Sequence, residues 1–257
     1  MKAVQQSAFI IHSRPYRETS SIVELFTRDF GRVACVAKGL RRSKRGAAVP
    51  QPFTPLLASW VGRGPLFTLT ASEVHSSTRS SNGAGAGATA LEGDYLVGGL
   101  YMNELIMRLL EPGDTHARLF AGYQETLAAL VERAPMSVVL REFEYLLLQE
   151  CGYAPDFTRC ASSGEAIKPD ANYRLALDEG FCLVENKGHS LTTADTDQNR
   201  TYSGSAVLAV ANGDYSIRAH RRAALHIFRE LLHGCLGPRG LISRSLLGAS
   251  RQEAEVR

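Results

Sequence analysis

The sequence lacks the features by which enzymes and membrane proteins are commonly identified. It has no run of 18 apolar residues, the length that indicates a membrane-spanning helix. It also has no phosphate-binding loop, no serine-hydrolase elbow and no His-Glu-x-x-His zinc motif. Its five cysteines are odd in number and widely spaced, which argues against a disulfide framework. We therefore expect a cytoplasmic, non-catalytic protein with reduced thiols.

Acidic residues are scarce in the first 80 residues and in residues 218–244. Residues 1–80 carry twelve Lys and Arg against four acids, and residues 218–244 carry six against one, whereas residues 81–217 carry nine against nineteen. The net charge of +3 conceals this segregation. Basic blocks attract polyanions because neutralising phosphates releases condensed counterions. The charge pattern predicts a nucleic-acid-binding protein, with a merely solvated charged face as the alternative.

The first 80 residues read as short strands separated by turns. Strands are predicted at 8–11, 22–27, 32–37, 56–61 and 66–70, and Gly31 suits the positive φ of the turn between the second and third. Five short strands in one compact unit predict a nucleic-acid-binding barrel of the OB type over residues 1–80. An SH3-like barrel is the alternative, because strand count separates the two folds poorly.

The rest of the chain changes to helical periodicity after a Gly/Ala/Ser-rich linker at 81–88. Within the helical domain, 89–257, three helices are separated by Pro112-Gly113 and Pro135, and Asp114 is the predicted cap of the second. A small insertion at 153–200 contains a predicted β-hairpin. Helices at 205–211 and 218–233 and a short one after Pro238 complete a multidomain α+β protein.

Cations and aromatic residues in the loops of the barrel are the predicted DNA contacts. In OB folds the loops between strands one and two and between strands four and five border the ligand face. The first of these loops holds Arg14, Tyr16 and Arg17, the second holds Arg63, and the loop after strand three holds Lys38, Arg41, Arg42, Lys44 and Arg45. Tyr16, Phe53 and Trp60 are candidate stacking platforms, with core packing as the alternative for Phe53 and Trp60.

A series of short segments spans nearly the whole chain and carries a family resemblance. They include YRETS (16–20), FGRV (30–33), AKGLRR (37–42), QPFTPL (51–56), WVGRG (60–64), YMNEL (101–105), RLL (108–110), CGYAPD (151–156) and SRSLL (243–247). In this order they resemble the RecO family of bacterial recombination mediators. The resemblance implies an OB fold, binding to single- and double-stranded DNA at the nucleoid, and annealing of complementary strands. It also implies partnership with RecR and single-strand-binding protein, so that RecA loads onto coated DNA.

The resemblance further implies a small insertion that often holds zinc through four cysteines. Here Ser163 stands where the second thiolate of the first pair belongs, and the second pair is reduced to Cys182. With Cys160, that leaves two thiols, which cannot complete a closed tetrahedral site. We therefore expect a degenerate zinc finger at 153–200, no metal and no cofactor.

The acidic, hydrophobic tail of single-strand-binding protein is the partner segment that the resemblance implies for the helical domain. Such a tail needs an apolar slot with one or two cations at its rim. The candidate cations are Arg108, Arg118, Arg141, Arg221 and Arg222. Two other functions remain as alternatives: a metal-dependent nuclease, although the acids are scattered, and an RNA-binding interaction module.

Overall fold

The computed structural model describes residues 1–38, 51–75, 91–184, 200–237 and 239–246. The chain divides into two compact units, one of Met1–Met136 with Leu241–Arg257 and one of Ser137–Gly240. None of the helices in the described ranges combines the length and the apolar character needed to cross a membrane.

The first unit contains a closed five-stranded barrel. Its strands are β1 (Lys2–Tyr16), β2 (Ser20–Thr27), β3 (Gly31–Ala37), β4 (Leu56–Val61) and β5 (Leu66–Val74). They close in the order β1-β2-β3-β5-β4, with β3 and β5 parallel and the other neighbours antiparallel. This order confirms the predicted OB barrel. β1 is longer than predicted because two register shifts bend it, so that it pairs with β4 through its first half and with β2 through its second.

The interior of the barrel follows the alternation of the sequence. Along β3, buried residues alternate with half-buried ones, as expected for a strand with one face inward. The inward side chains of β3 are Val33, Cys35 and Ala37, and they pack with Val23 and Leu25 of β2. Trp60 of β4 completes this core and is 0% exposed.

Helices α1 (Gly93–Leu109) and α2 (Ala117–Val131) belong to the same unit as the barrel. Phe9 and Phe26 point outward from β1 and β2, and their ring centroids lie 5.1–5.7 Å from those of Phe120 and Tyr123 in α2. This aromatic contact covers the outer face of β1 and β2 with a helix. A nucleic acid therefore has no access to the part of that face around Phe9 and Phe26, whereas Arg14, farther along β1, is exposed.

The predicted cap of α2 at Asp114 is wrong. The N-cap is His116, which makes no side-chain capping hydrogen bond. Asp114 lies in the connection before it, where Gly113 N–H donates to the carbonyl of Arg32 at 3.0 Å and the backbone oxygen of Asp114 lies against Gly31. The α1–α2 connection therefore packs on the β2–β3 turn, and this contact sets where α2 begins.

In its described residues, the second unit combines a small sheet with three helices. Its elements are α3 (Met136–Glu150), β6 (Asn172–Ala176), β7 (Gly180–Leu183), β8 (Thr201–Ser203), α4 (Gly204–Ala211) and α5 (Arg218–Leu236). β6 and β7 form the predicted hairpin, and β8, which was not predicted, adds to β6 as a third strand. The Phe157 ring joins sheet and helices, since its centroid lies 5.2 Å from that of Phe181 and 6.3 Å from that of Phe228.

Candidate nucleic-acid interface

Three of the predicted DNA-binding cations meet at one end of the barrel. Tyr16 at the end of β1 pairs with Ser20, and Ser21 pairs with Ala37 at the end of β3. Since neighbouring strands lie about 4.8 Å apart, the exposed Arg14, Arg17 and Lys38 lie within two strand widths of one another. We refer to these three residues as the end cluster.

Tyr16 is the aromatic residue of this end, and its ring is half-buried. The guanidinium of Arg17 lies over the ring, 5.2 Å from its centroid. Arg17 has a φ of 53°, a backbone conformation that non-glycine residues adopt infrequently. The turn therefore places a cation on one face of Tyr16, so a stacked base would need the other face.

Arg63 lies apart from the end cluster. It is exposed in the β4–β5 turn, and Leu66, just after this turn, pairs with Ala34. Lys38 lies four residues beyond Ala34, so at about 3.3 Å per residue the turn is roughly 13 Å from Lys38 along the sheet. Lys2 was not among the predicted DNA contacts, because it precedes the first predicted strand, but it is an exposed cation that pairs with Val61 beside the same turn.

The outward faces of β3 and β5 connect these two groups of cations. We call this surface the open wall and define it by the outward residues Ala34, Val36, Leu66, Thr68 and Thr70. Arg32, which also faces outward on β3, lies outside this stretch and forms an ion pair with Glu24. All five residues of the wall are uncharged and most are small, so an extended chain can approach the backbone there. Because Lys38 lies at one end and Arg63 at the other, the wall is bordered by positive charge.

Two of the three candidate stacking platforms belong to the core. Trp60 is 0% exposed inside the barrel, where its ring meets that of Phe30 at a centroid distance of 5.4 Å. Phe53 is 4% exposed and packs so closely against α1 that a Cβ on Gly99 would lie 2.8 Å from its ring. Neither ring can stack on a base, which leaves Tyr16 as the predicted platform.

The remaining cations of the predicted loop, Arg41, Arg42, Lys44 and Arg45, lie outside the described residues. Lys38 marks the point where this segment leaves β3. The segment therefore starts within the end cluster, and its role in DNA binding stays a prediction.

The candidate cations for a partner peptide lie on four different helices. Arg108 is in the last turn of α1, and Arg118 lies near the start of α2. Arg141 of α3 is 7% exposed and forms an ion pair of 2.5 Å with the fully buried Glu144, so it does not lie on an exposed rim. Arg221 of α5 donates to the carbonyls of Tyr215 and Ser216 at 2.7 Å each, which ties it to the preceding loop. Arg222 is exposed on α5.

The thiols of the insertion do not form a metal site among the residues that the structure describes, since no group of three or more His, Cys, Asp or Glu side chains is placed to hold a metal ion there. The Cys160 sulfur contacts the Ser162 hydroxyl at 3.3 Å. Burial alone would raise the pKa of the Cys160 thiol, but hydrogen bonds from Ser162 and Ser163 lower it to about 6. Burial, followed by the charges of Glu179 and Cys160, raises the pKa of Cys182. The residues therefore do not fit a four-thiolate zinc site.

Metal analysis of the purified protein is expected to find zinc well below one equivalent. The reason is that hydroxyl groups, which are poor zinc ligands, surround Cys160 in place of thiolates. Restoring a thiolate with Ser163→Cys is not expected to produce a closed site either, since it supplies only a third sulfur. One equivalent of zinc that survives dialysis in the wild-type protein would contradict this prediction.

Comparison with known proteins agrees with this architecture. Residues 1–78 match the family model described as Recombination protein O N terminal, and residues 91–199 match Recombination protein O C terminal. The DNA repair protein RecO of Nitrosospira multiformis is 39% identical over 96% of this chain and 96% of its own length. The proteins of that name from Cellvibrio japonicus and Cupriavidus metallidurans are each 37% identical over 96% of this chain, and over 97% and 78% of their own lengths.

Proposed function

Because this chain belongs to the RecO family of DNA repair proteins, we propose that it is a non-catalytic recombination mediator. In this proposal it binds single- and double-stranded DNA in the cytoplasm, at the nucleoid, and anneals complementary strands. With RecR, it helps RecA load onto DNA coated with single-strand-binding protein. The observation that carries the proposal is the end cluster of Arg14, Arg17 and Lys38 on a closed OB barrel.

The open wall is the surface we assign to the strand. α2 covers the outer face of β1 and β2, whereas the outward residues of β3 and β5 are half-buried or exposed. The wall lies between Lys38 at one end and Lys2 with Arg63 at the other, a distance of roughly 13 Å along the strands. This length matches about two to four nucleotides of a single strand if neighbouring phosphates lie about 3.4–7 Å apart, the shorter spacing being that of one strand of duplex DNA.

The chemistry of the wall favours contacts to phosphates over contacts to bases. Its outward residues include no aromatic side chain, and Trp60 and Phe53 are buried. Arginine and lysine contacts to phosphates position a strand without reading its sequence. A protein that binds in this way neutralises any strand, which lowers the repulsion between two complementary strands and so favours their annealing.

For the partner segment, we propose that the tail of single-strand-binding protein docks on the helical part of the chain. Its acidic residues need cations that remain accessible, and its apolar end needs a slot. Arg108, Arg118 and Arg222 stay candidates for the cations, whereas the buried ion pair of Arg141 and the backbone contacts of Arg221 give these two a structural role.

The annealing of complementary oligonucleotides coated with single-strand-binding protein tests the proposal. Adding this chain is expected to accelerate annealing, because the unassisted reaction must first remove the coat. A tail-deleted single-strand-binding protein serves as the matched control and is expected to remove most of the acceleration. The same reactions with Mg²⁺, resolved on a denaturing gel, test the nuclease alternative. Cleaved strands, or annealing at the unassisted rate, would contradict the proposal.

A further inference from the structure

A basic cavity in the second unit enters the proposed function only through Arg222, one of the candidate cations for the peptide tail. It has a volume of about 580 Å³ and lies between the start of α5 and strand β8. Four side chains that carry or can carry positive charge line it: Arg200, Arg218, Arg222 and His226. The net charge of residues 81–217 gave no indication of this local concentration, because its members come from segments of opposite overall charge.

The helix supplies three of these four groups from one face. Arg218, Arg222 and His226 follow one another at four-residue intervals along α5, a spacing that aligns side chains on a helix. Arg200 approaches from the other side, directly before β8, together with Thr201 and Ser203. The floor between them is small, since Ala206, Ala219 and Ala223 are the apolar residues that line it besides the buried Tyr202.

The first turn of α5 carries positive charge where the helix dipole favours negative charge. The first turn contains no acid, and the N-cap, Ile217, has no side-chain hydrogen bond to offer. Cations at this end of a helix are unfavourable, whereas an anion there is favourable. A bound anion near Arg218 would therefore offset an unfavourable interaction at this end of the helix.

Two neighbouring side chains of this turn, His220 and Arg221, already have partners within the protein, and neither lines the cavity. His220 lies 3.3 Å from the carboxylate of Asp214, and Arg221 binds two backbone carbonyls. By contrast, Arg218 and Arg222 are exposed, and within the described part of the chain neither forms an ion pair. The carboxylate of Glu230, one turn beyond His226, accepts a hydrogen bond of 3.0 Å from Tyr202.

We propose that this cavity binds a phosphate group of a nucleic-acid strand, as a second site in addition to the barrel. Guanidinium groups present planar pairs of donors that match phosphate oxygens, and the hydroxyl of Thr201 adds a neutral donor, whereas the Ser203 hydroxyl caps α4. A hydrophobic peptide tail is a poorer match, because the alanines give no deep slot for a large anchoring side chain and Tyr202 is 4% exposed. The inference goes beyond the proposed function, which places the strand on the barrel.

The first test is a salt titration of the full chain on a labelled decathymidylate. Arg218→Ala combined with Arg222→Ala is expected to reduce the logarithmic salt slope by about 0.7, the value for one lost phosphate contact, and to weaken binding roughly five-fold near 0.1 M salt. Arg229→Ala is the control, since Arg229 is exposed on the same helix but does not line the cavity. A wild-type slope in the double variant would overturn the proposal.

The second test reads the cavity directly in the wild-type protein. With ¹⁵N-histidine labelling, the His226 resonance, assigned through His226→Gln, is expected to shift on addition of decathymidylate at micromolar concentration. Inorganic phosphate is expected to shift this resonance only at millimolar concentration. An equal response to phosphate and to the oligonucleotide would mean that the cavity binds small anions and is not a nucleic-acid site. A shift caused by an acidic peptide of equal charge, without one caused by the oligonucleotide, would refute the inference.

The proposed function and the phosphate site can fail independently, because the end cluster and the cavity are changed in separate variants. If neutralising the end cluster weakens binding while the cavity variant binds normally, the cavity inference fails and the barrel assignment stands. If the oligonucleotide shifts the His226 resonance but the annealing assay shows no acceleration, the phosphate site stands and the proposed function fails.

Discussion

Replacing Arg41, Arg42, Lys44 and Arg45 with alanine is expected to produce the largest loss of DNA affinity of any surface change in this chain. Together with Lys38 they place five cations within eight residues, with no acid among them. Each lost phosphate contact should lower the logarithmic salt slope by about 0.7 on single strands, so four contacts correspond to about 2.8 and to several hundred-fold in affinity near 0.1 M salt. The loss should be equal for all DNA sequences, because backbone contacts carry little sequence information.

The measurement is a salt titration of wild type and variant on one labelled single strand. A matched control removes four exposed cations that have partners within the protein. These are Arg28, Arg133, Arg159 and Lys168, which contact Asp29, Glu92, the Gly164 carbonyl and Glu165. This control changes the net charge by the same amount, so a slope that falls equally in both variants would show that total charge, and not the loop, sets the affinity. An unchanged salt slope in the loop variant would indicate that Arg14, Arg17 and Arg63 contact the phosphates instead.

Gly31→Ala is expected to cause the largest loss of stability from a single methyl group. Gly31 has a φ of 58°, and a Cβ there would lie 1.8 Å from the backbone oxygen of Asp114. A positive φ in a non-glycine residue costs about 1–3 kcal/mol, and overpacking costs about 1–3 kcal/mol more. Since the blocking atom is backbone, relief requires the α1–α2 connection to move away from the β2–β3 turn. Chemical denaturation with a helix-sensitive and a barrel-sensitive probe measures the effect.

Gly93→Ala is the matched control for this experiment. Gly93 has nearly the same φ, 56°, but a Cβ there would meet no atom within 4 Å. It therefore carries the backbone penalty without the clash, and the difference between the two variants isolates the contact with Asp114. Equal destabilisation of the two variants would mean that the barrel and the α1–α2 connection do not pack as closely as the structure places them.

Much of the barrel follows from local pattern. β3 and β4 were predicted to within one residue at each end, because alternation of apolar and polar residues has the same period as the strand. The turn at Gly31 was also predicted, since a tight hairpin needs a positive φ. The bend of β1 could not be predicted, because its register shifts arise from pairing with two different strands that lie far from it in sequence.

The candidate DNA-binding site was likewise predicted in part from local pattern and in part decided by strand pairing. That Arg14, Arg17, Lys38 and Arg63 occupy barrel loops was evident from their position between predicted strands. Which of them lie together depended on the barrel order, since only the pairing of β1, β2 and β3 brings the first three to one end. Whether Trp60 packs in the core or is available to bases likewise depended on which face of β4 points inward, and closure of the sheet decides this.

The amino-acid sequence by itself determined the family, the segregation of charge and the identity of most elements, because these depend on composition, short motifs and periodicities of two and 3.6 residues. Only the tertiary structure decided that α2 covers one face of the barrel and leaves the open wall, and that Arg200 lies opposite Arg218 and Arg222 around one cavity. The physical reason is that these contacts join residues distant in the chain. Their geometry is set by packing and strand register, which no local pattern encodes.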